Sequence, residues 1–117
     1  MQIFVYGTLK KGQCRDHILP SFKSKFIGET KTLPKYRLNH LRAFPGITHQ
    51  ENGTAIQGEL WEINDECLLA LDAIEGHPEL FCRDLVELED QQIAIAYFWQ
   101  GEIKEDAGDC WDDQFKV

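Results

Sequence analysis

Short apolar or alternating stretches predict a chain built mainly from β-strands. Residues 2–6, QIFVY, are apolar after Gln2 and are followed by a glycine, which is typical of a buried strand that ends in a turn. Residues 53–63, GTAIQGELWEI, alternate so that successive side chains would face opposite sides of a sheet. Further strands are predicted at 22–32, 35–39, 81–89 and 92–99. A short turn around Asp90 and Gln91 joins the last two into an antiparallel hairpin.

Two helices are predicted between the strands. Residues 64–75, NDECLLALDAIE, carry apolar side chains at helical spacing, and Asn64 or Asp65 is the expected N-cap. A shorter helix is expected at 14–19, where Pro20 would close it. The chain therefore combines one long helix with several strands.

This order of elements predicts an α+β fold. Residues 43–48, AFPGIT, carry a Pro-Gly pair that marks a turn, and the polar tail at 101–117 is expected to cover a sheet edge. The chain of 117 residues is long enough to bury a core of its own. We therefore expect a small single domain over residues 1–117, a curled mixed or antiparallel β-barrel with one main helix.

The composition is that of a globular protein, with 43% apolar and 27% charged residues. No stretch approaches the roughly 20 apolar residues that a membrane-spanning helix needs. The N-terminus also lacks a basic segment followed by an apolar run and a cleavage site. These features predict a cytoplasmic protein without a membrane partner.

Charge is divided unevenly along the chain. Residues 1–58 hold 9 Lys and Arg against 3 Asp and Glu, whereas residues 59–117 hold 3 against 17, and the net charge is −8. The asymmetry either steers ligands towards the basic half or reflects two solvated faces. An acidic chain without a basic, aromatic stripe is a poor candidate for nucleic-acid binding, so no nucleic-acid partner is expected.

The spacing of cysteines and glycines disfavours two common kinds of site. The four cysteines are widely separated and no histidine stands at zinc-ligand spacing from them, so buried reduced thiols are expected and a metal site is not. Gly7 and Gly12 have the separation found in a phosphate-binding loop, but Gln13 and Cys14 stand where Lys and Ser or Thr are needed. Leu9 breaks the G-x-G-x-x-G pattern, so nucleotide binding is not predicted.

One carboxylate lies on the apolar side of the long helix. At about 100° per residue, Glu75 falls on the apolar arc between Leu68 and Leu71. Its side chain either reaches solvent at the helix end or lies in an apolar pocket, where desolvation raises the pKa of the carboxyl towards that of a general base. Asp72 and Glu79 are expected to be surface charges.

Five segments resemble a single family, in the order in which that family carries them. YGTL at 6–9 and LDAIEGHPELFCR at 71–83 carry most of the resemblance. The remaining three are AFPGI at 43–47, GTAIQGELWEI at 53–63 and GDCWDD at 108–113. The chain resembles the γ-glutamylcyclotransferase-like proteins, particularly the γ-glutamylamine cyclotransferase branch and its small bacterial relatives.

The resemblance implies the fold of that family and a cofactor-independent enzyme that converts a γ-glutamyl amine or peptide into 5-oxoproline and a free amine. Glu75 would be the general acid and base, taking a proton from the α-amino group that attacks the γ-carbonyl carbon. The substrate-binding residues it implies are Tyr6, Gly7, Thr8, Leu9 and Phe81. The partner would be a small γ-glutamyl molecule, with no metal or cofactor. The alternative is a non-catalytic member of the same fold that binds a small ligand or a protein.

Neighbouring residues are open to more than one interpretation. Phe81 stands where the family has a tyrosine, and it either contacts substrate or serves packing. Arg83 either holds a substrate carboxylate or forms a surface salt bridge. His77 is expected to be a loop residue, and Lys10 and Lys11 are expected to be solvated.

Overall fold

The structure is a computed structural model that describes residues 1–112, which form seven strands and two helices. In chain order these are β1 (Gln2–Val5), α1 (Ile18–Ser21), β2 (Lys25–Lys31), β3 (Tyr36–His40), β4 (Pro45–His49), β5 (Gln57–Glu62), α2 (Asp65–Glu75), β6 (Phe81–Glu87) and β7 (Ile93–Trp99). Neither helix in this part of the chain has the length and apolar content that crossing a membrane requires.

The described strands form one mixed sheet, in the order β2-β5-β1-β7-β4-β3, with β6 paired to β7 outside this path. Strand β7 is central: β6 pairs with it antiparallel along its length, and β1 and β4 pair with it in parallel. The predicted α+β fold with a curled mixed sheet is confirmed. Within residues 1–112, β2 and β3 end the strand order without pairing with each other, so the sheet does not close into a barrel.

Strand β1 is buried on both faces, as its apolar sequence predicts. Phe4 and Tyr6 pack into one apolar cluster, whereas Ile3 and Val5 pack into a second one together with Leu71 of α2. The chain remains buried beyond the end of the strand, through residue 10. The loop that follows β1 therefore begins inside the protein and can form the wall of a cavity.

Helix α2 begins and ends at residues suited to these positions. The Asn64 side chain accepts a hydrogen bond of 2.8 Å from the Cys67 N–H, which confirms Asn64 as the N-cap. Gly76 ends the helix in the left-handed conformation, with φ of 66°, which glycine adopts without a steric penalty. Glu75 is therefore the last helical residue, and its side chain lies where the helix meets the end of β1.

Two local predictions were wrong, and both involve proline. The short helix lies at Ile18–Ser21 instead of 14–19, and Pro20 lies inside it, because the N–H that proline lacks has no partner in a first helical turn. The turn expected at 43–48 is instead strand β4, with Pro45 as its first residue. Proline is tolerated at that position of a strand, and the burial of Ile47 against β3 and β7 outweighs the local turn signal.

The cysteines and the tail differ in how well they were predicted. Cys67 is buried as expected, but Cys14 and Cys110 are exposed and Cys82 is intermediate. The tail does cover a sheet edge, since the Ala107 N–H donates to the Leu38 carbonyl oxygen of β3 at 2.8 Å. The same prediction for the last part of the tail, residues 113–117, concerns residues outside the described part of the chain.

Candidate active site

A cavity of about 150 Å³ lies where the end of β1, the loop after it and the last turn of α2 meet. The six residues predicted from sequence all line it: Tyr6, Gly7, Thr8, Leu9, Glu75 and Phe81. Tertiary structure thus brings the two most distinctive sequence segments together around one space. Most of the remaining wall is apolar, so a charged group inside the cavity is poorly solvated.

Glu75 is the only carboxylate among the described residues that line this cavity. Burial raises the pKa of its carboxyl, and the positive charge of Arg15 partly opposes that rise. No described residue donates a hydrogen bond to the carboxylate or lies in ion-pair contact with it. Of the two environments considered for Glu75, the structure has the apolar pocket. The carboxylate is free to accept a proton from a bound molecule.

The loop after β1 has donors that the described residues leave unused. The Gly7 carbonyl oxygen accepts a hydrogen bond of 3.2 Å from the Lys10 N–H, and the Thr8 carbonyl oxygen accepts one of 2.9 Å from the Arg15 N–H. These bonds hold the loop in a compact turn. The N–H groups of Thr8 and Leu9 donate to no acceptor within residues 1–112, and they remain available to an oxygen of a ligand.

Gly7 is needed for packing within the protein. A Cβ atom at this position would lie 2.8 Å from Cγ and 2.9 Å from Cδ of Pro45. Real Cβ atoms do not approach carbon this closely, so any side chain at position 7 would push the loop and β4 apart. The glycine of the YGTL segment thus lets the loop pack directly against Pro45, which also lines the cavity.

The Glu59 side chain fixes the same loop through hydrogen bonds. This buried carboxylate accepts the Lys11 backbone N–H at 3.0 Å and the Trp61 indole N–H at 3.1 Å. The Lys10 ammonium donates to the Trp111 carbonyl oxygen at 2.7 Å, and the Lys11 ammonium lies 3.4 Å from the ring centroid of Phe26. The expectation of a solvated Lys10 is therefore wrong, because its side chain is buried in holding the tail.

The Tyr6 side chain supports the cavity wall from behind. Its hydroxyl donates a hydrogen bond of 2.6 Å to the Tyr97 carbonyl oxygen and accepts one of 3.1 Å from the Ile47 N–H. Burial raises the pKa of the hydroxyl far above its usual range, and the nearby charge of Glu75 adds to the rise. The hydroxyl therefore stays protonated and is fully used in holding the fold together.

A second charged group lies beside the cavity. Arg83 donates two hydrogen bonds to the Asp72 carboxylate, at 2.7 and 3.1 Å, and the Tyr97 hydroxyl donates a third at 2.7 Å. Burial tends to raise the pKa of Asp72, but these hydrogen bonds outweigh it and the pKa is lowered. The prediction of Asp72 as a surface charge is wrong. Of the two interpretations of Arg83, the structure has the salt bridge, and His77 accepts the Arg83 N–H at 3.2 Å.

Phe81 is buried between other aromatic rings. Its ring centroid lies 6.0 Å from that of Phe44 and 5.5 Å from that of Trp99. With 3% of its surface exposed, the side chain forms an apolar floor of the cavity. Packing thus accounts for a phenylalanine at this position.

Sequence reasoning missed two polar residues of the cavity. Arg15 and Tyr97 both line it, but neither belongs to a segment that the sequence analysis singled out as a site. Arg15 had one signal, since it is the first cation beyond the glycine loop. Tyr97 had none, because a tyrosine in an apolar strand is ordinary core material.

Fold and site together define a class of protein. The cavity between the end of β1, its loop and α2 is lined by an unpaired carboxylate, an arginine and unused loop N–H groups. This arrangement suits the binding of a small polar molecule. The family model described as "Gamma-glutamyl cyclotransferase, AIG2-like" matches residues 3–113. The chain belongs to this family, so the predicted resemblance and the predicted enzyme class are confirmed.

Relatives and solved structures agree with this assignment. A relative from Methanocaldococcus jannaschii is 37% identical over 87 residues, which cover 74% of this chain and 70% of the relative. Gamma-glutamylaminecyclotransferase A of Danio rerio is 30% identical over 114 residues, covering 83% of this chain and 68% of that protein. The crystal structure of an AIG2-like protein from Mus musculus matches with a TM-score of 0.74 at 25% identity, over 85% of this chain and 76% of that chain.

Proposed function

We propose that this protein is a cofactor-independent cyclotransferase that converts a γ-glutamyl amine or peptide into 5-oxoproline and a free amine. The observation that carries the proposal is the unpaired Glu75 carboxylate in a cavity walled by the YGTL loop. Family membership supports the same reaction class. Glu75, Tyr6, Gly7, Thr8, Leu9 and Phe81 would form the site, with Glu75 as the catalytic residue.

The first step is removal of a proton from the substrate. The α-ammonium of a glutamyl group has a pKa of about 8 and cannot attack a carbonyl while it is protonated. Burial raises the pKa of the Glu75 carboxyl, which brings it closer to that of the ammonium. Glu75 takes one proton from the ammonium and leaves a neutral amine beside it.

Ring closure follows within the substrate. The amine nitrogen attacks the γ-carbonyl carbon, a bond forms between them, and the carbonyl oxygen becomes an oxyanion. The attack is intramolecular, so holding the glutamyl chain in a folded shape supplies much of the rate. The Thr8 and Leu9 N–H groups, which have no acceptor within residues 1–112, would donate to the oxyanion.

Collapse of the oxyanion releases the products. The protonated Glu75 gives its proton to the leaving nitrogen, the bond from that nitrogen to the carbon breaks, and the carbonyl re-forms. The ring nitrogen still carries one extra proton from the attacking amine, which the Glu75 carboxylate takes and passes to the released amine. One γ-glutamyl amide thus yields one 5-oxoproline and one amine, and Glu75 ends as the carboxylate. Ile74 and Leu80 line the cavity and are exposed at its mouth, where they would contact the leaving amine.

The test is release of 5-oxoproline from a panel of γ-glutamyl conjugates, followed by mass spectrometry. The panel includes glutathione, γ-glutamyl amino acids and γ-glutamyl-lysine. We expect Glu75→Gln to lower turnover by about 10²- to 10⁴-fold, the usual contribution of a general base. The matched control is Glu79→Gln, which changes an exposed acid outside the cavity and retains full activity.

Two results would contradict the proposal. One is undiminished turnover by Glu75→Gln. The other is binding of the conjugates by the folded wild type without release of 5-oxoproline from any of them. The second result would favour the non-catalytic, ligand-binding alternative.

A further inference from the structure

Arg15 is a cation without a function in the fold. Its backbone is held on both sides, because its N–H donates to the Thr8 carbonyl oxygen at 2.9 Å and its carbonyl oxygen accepts the Ile18 N–H at 3.2 Å. Arg15 lines the cavity, and its positive charge acts on the Glu75 carboxyl. Within residues 1–112 the guanidinium makes no hydrogen bond and no ion pair. A partly buried cation in this state favours an anionic partner from outside the protein.

The other cations close to the site already have partners. The Lys10 ammonium is held by the Trp111 carbonyl oxygen, the Lys11 ammonium lies over Phe26, and Arg83 is paired with Asp72. Among the described residues that line the cavity, Arg15 is the remaining cation. It is therefore the group available to bind an anion there.

Arg15 and Glu75 form a pair of opposite charges that are not in contact. Both line the same cavity, and the Arg15 charge acts on Glu75, but no ion pair within 4 Å joins them. An α-amino acid carries the complementary pair, an ammonium and a carboxylate on one carbon atom. The cavity has a volume of about 150 Å³. A cavity of roughly this volume binds benzene in another protein, so the space is large enough for the α-amino acid end of a molecule.

We propose that Arg15 binds the α-carboxylate of the glutamyl group, so that the site selects γ-glutamyl molecules whose α-carboxylate is free. This inference rests on the proposed function, which requires the ammonium to lie beside Glu75. Binding of the α-carboxylate by Arg15 places the ammonium there. The selection excludes peptides with an N-terminal glutamine. Their amine could close the same ring, but their α-carboxyl group is tied up in a peptide bond and carries no charge. Arg15 would thus determine the substrate class.

The test pairs a change in the protein with a change in the substrate. One γ-glutamyl conjugate is compared with its α-carboxamide, which lacks only the negative charge, and kcat/KM is measured for each. A charge-assisted hydrogen bond predicts that the wild type prefers the carboxylate by about 10- to 100-fold. In Arg15→Gln this preference disappears, because activity on the carboxylate falls while activity on the carboxamide changes little.

Two further variants separate binding from folding. Arg15→Lys keeps the charge and retains part of the preference. Lys25→Gln removes an exposed cation of β2 outside the cavity, and this variant should keep the full preference for the carboxylate substrate. A preference that survives in Arg15→Gln overturns the inference. An equal loss on both substrates also overturns it, since that pattern indicates a structural role.

Binding measurements distinguish failure of this inference from failure of the proposed function. Calorimetry compares 5-oxoproline with 5-oxoprolinamide as ligands of the wild type and of Arg15→Gln. If the wild type turns over no conjugate but prefers 5-oxoproline through Arg15, the cyclotransferase proposal fails and the carboxylate site stands. If the two ligands bind equally, or neither binds, the carboxylate site is wrong.

Discussion

The Tyr6 hydroxyl donates to the Tyr97 carbonyl oxygen at 2.6 Å and accepts from the Ile47 N–H at 3.1 Å. Strand β7 changes partner at this point, from β1 at the Ile3–Ile95 pair to β4 at the Ile47–Phe98 pair. A side-chain hydroxyl thus takes the place of backbone hydrogen bonds where two parallel strands separate. The cavity lies beside this separation.

Replacing Tyr6 by phenylalanine tests that bridge. Tyr6→Phe leaves a buried N–H and a buried carbonyl oxygen without this partner, so we expect the free energy of unfolding to fall by about 1–3 kcal/mol. Activity should fall as well, because the cavity wall loses its support. Urea denaturation and kcat measure the two effects.

Tyr36→Phe is the matched control. The Tyr36 hydroxyl accepts the Glu87 N–H at 2.9 Å, and the residue is buried outside the cavity. This variant should lose stability but keep its activity. Equal losses of activity in the two variants would show that Tyr6 has no particular link to the site.

The pH dependence of catalysis should follow Glu75. The base acts when it is deprotonated, so kcat/KM should fall about tenfold per pH unit below the pKa of the free enzyme. Burial raises the pKa of Glu75, which places the midpoint above the ordinary value for glutamate, about 4.3. Arg15→Gln should move the midpoint further upward, since the Arg15 charge lowers this pKa. A midpoint at or below the ordinary value would show that Glu75 is not the titrating base.

Glu75→Gln should be more stable than the wild type at neutral pH. The pKa of Glu75 is raised in the folded state, so the native protein binds the proton more tightly than the unfolded chain does. Wild-type stability is then highest below the unfolded pKa and declines as the pH rises through the folded pKa. Glutamine does not titrate and avoids this decline.

Urea titrations across pH measure the difference between the two proteins. The advantage of Glu75→Gln should be present at neutral pH and should shrink in acid, below the ordinary pKa of glutamate. A difference that stays constant with pH would mean that ionisation of Glu75 does not oppose folding.

Glu59→Ala tests the support beneath the loop. Removing the carboxylate leaves the Lys11 N–H and the Trp61 indole N–H unpaired, which should cost about 1–3 kcal/mol of unfolding free energy. The loop N–H groups of Thr8 and Leu9 would lose their position, so kcat should fall more than substrate affinity. Glu62→Ala, at an exposed residue of the same strand, is the control and should retain kcat. Unchanged kcat in Glu59→Ala would show that Glu59 serves stability alone.

The parts of the fold that local chemistry decides were predictable. The Asn64 N-cap and the position of Glu75 on α2 follow from residues within a few positions of each other. The prediction of a turn at 43–48 failed because the Pro-Gly pair is a local signal, whereas Ile47 is buried by strands distant in sequence. The cavity could be anticipated only through the family resemblance, which already implied that the YGTL segment and Glu75 act together.

The sequence by itself determined the capped helix, the apolar first strand and the glycine loop, because backbone propensity and hydrophobic spacing act over short distances. Only the tertiary structure decided which groups the charged side chains contact. Arg15 lines the cavity near Glu75, the Lys10 ammonium reaches Trp111, and Arg83 pairs with Asp72. A long charged side chain satisfies its hydrogen bonds with whatever the fold places within reach. Its partner is therefore a property of the folded molecule, and the chemistry of this site follows from those partners.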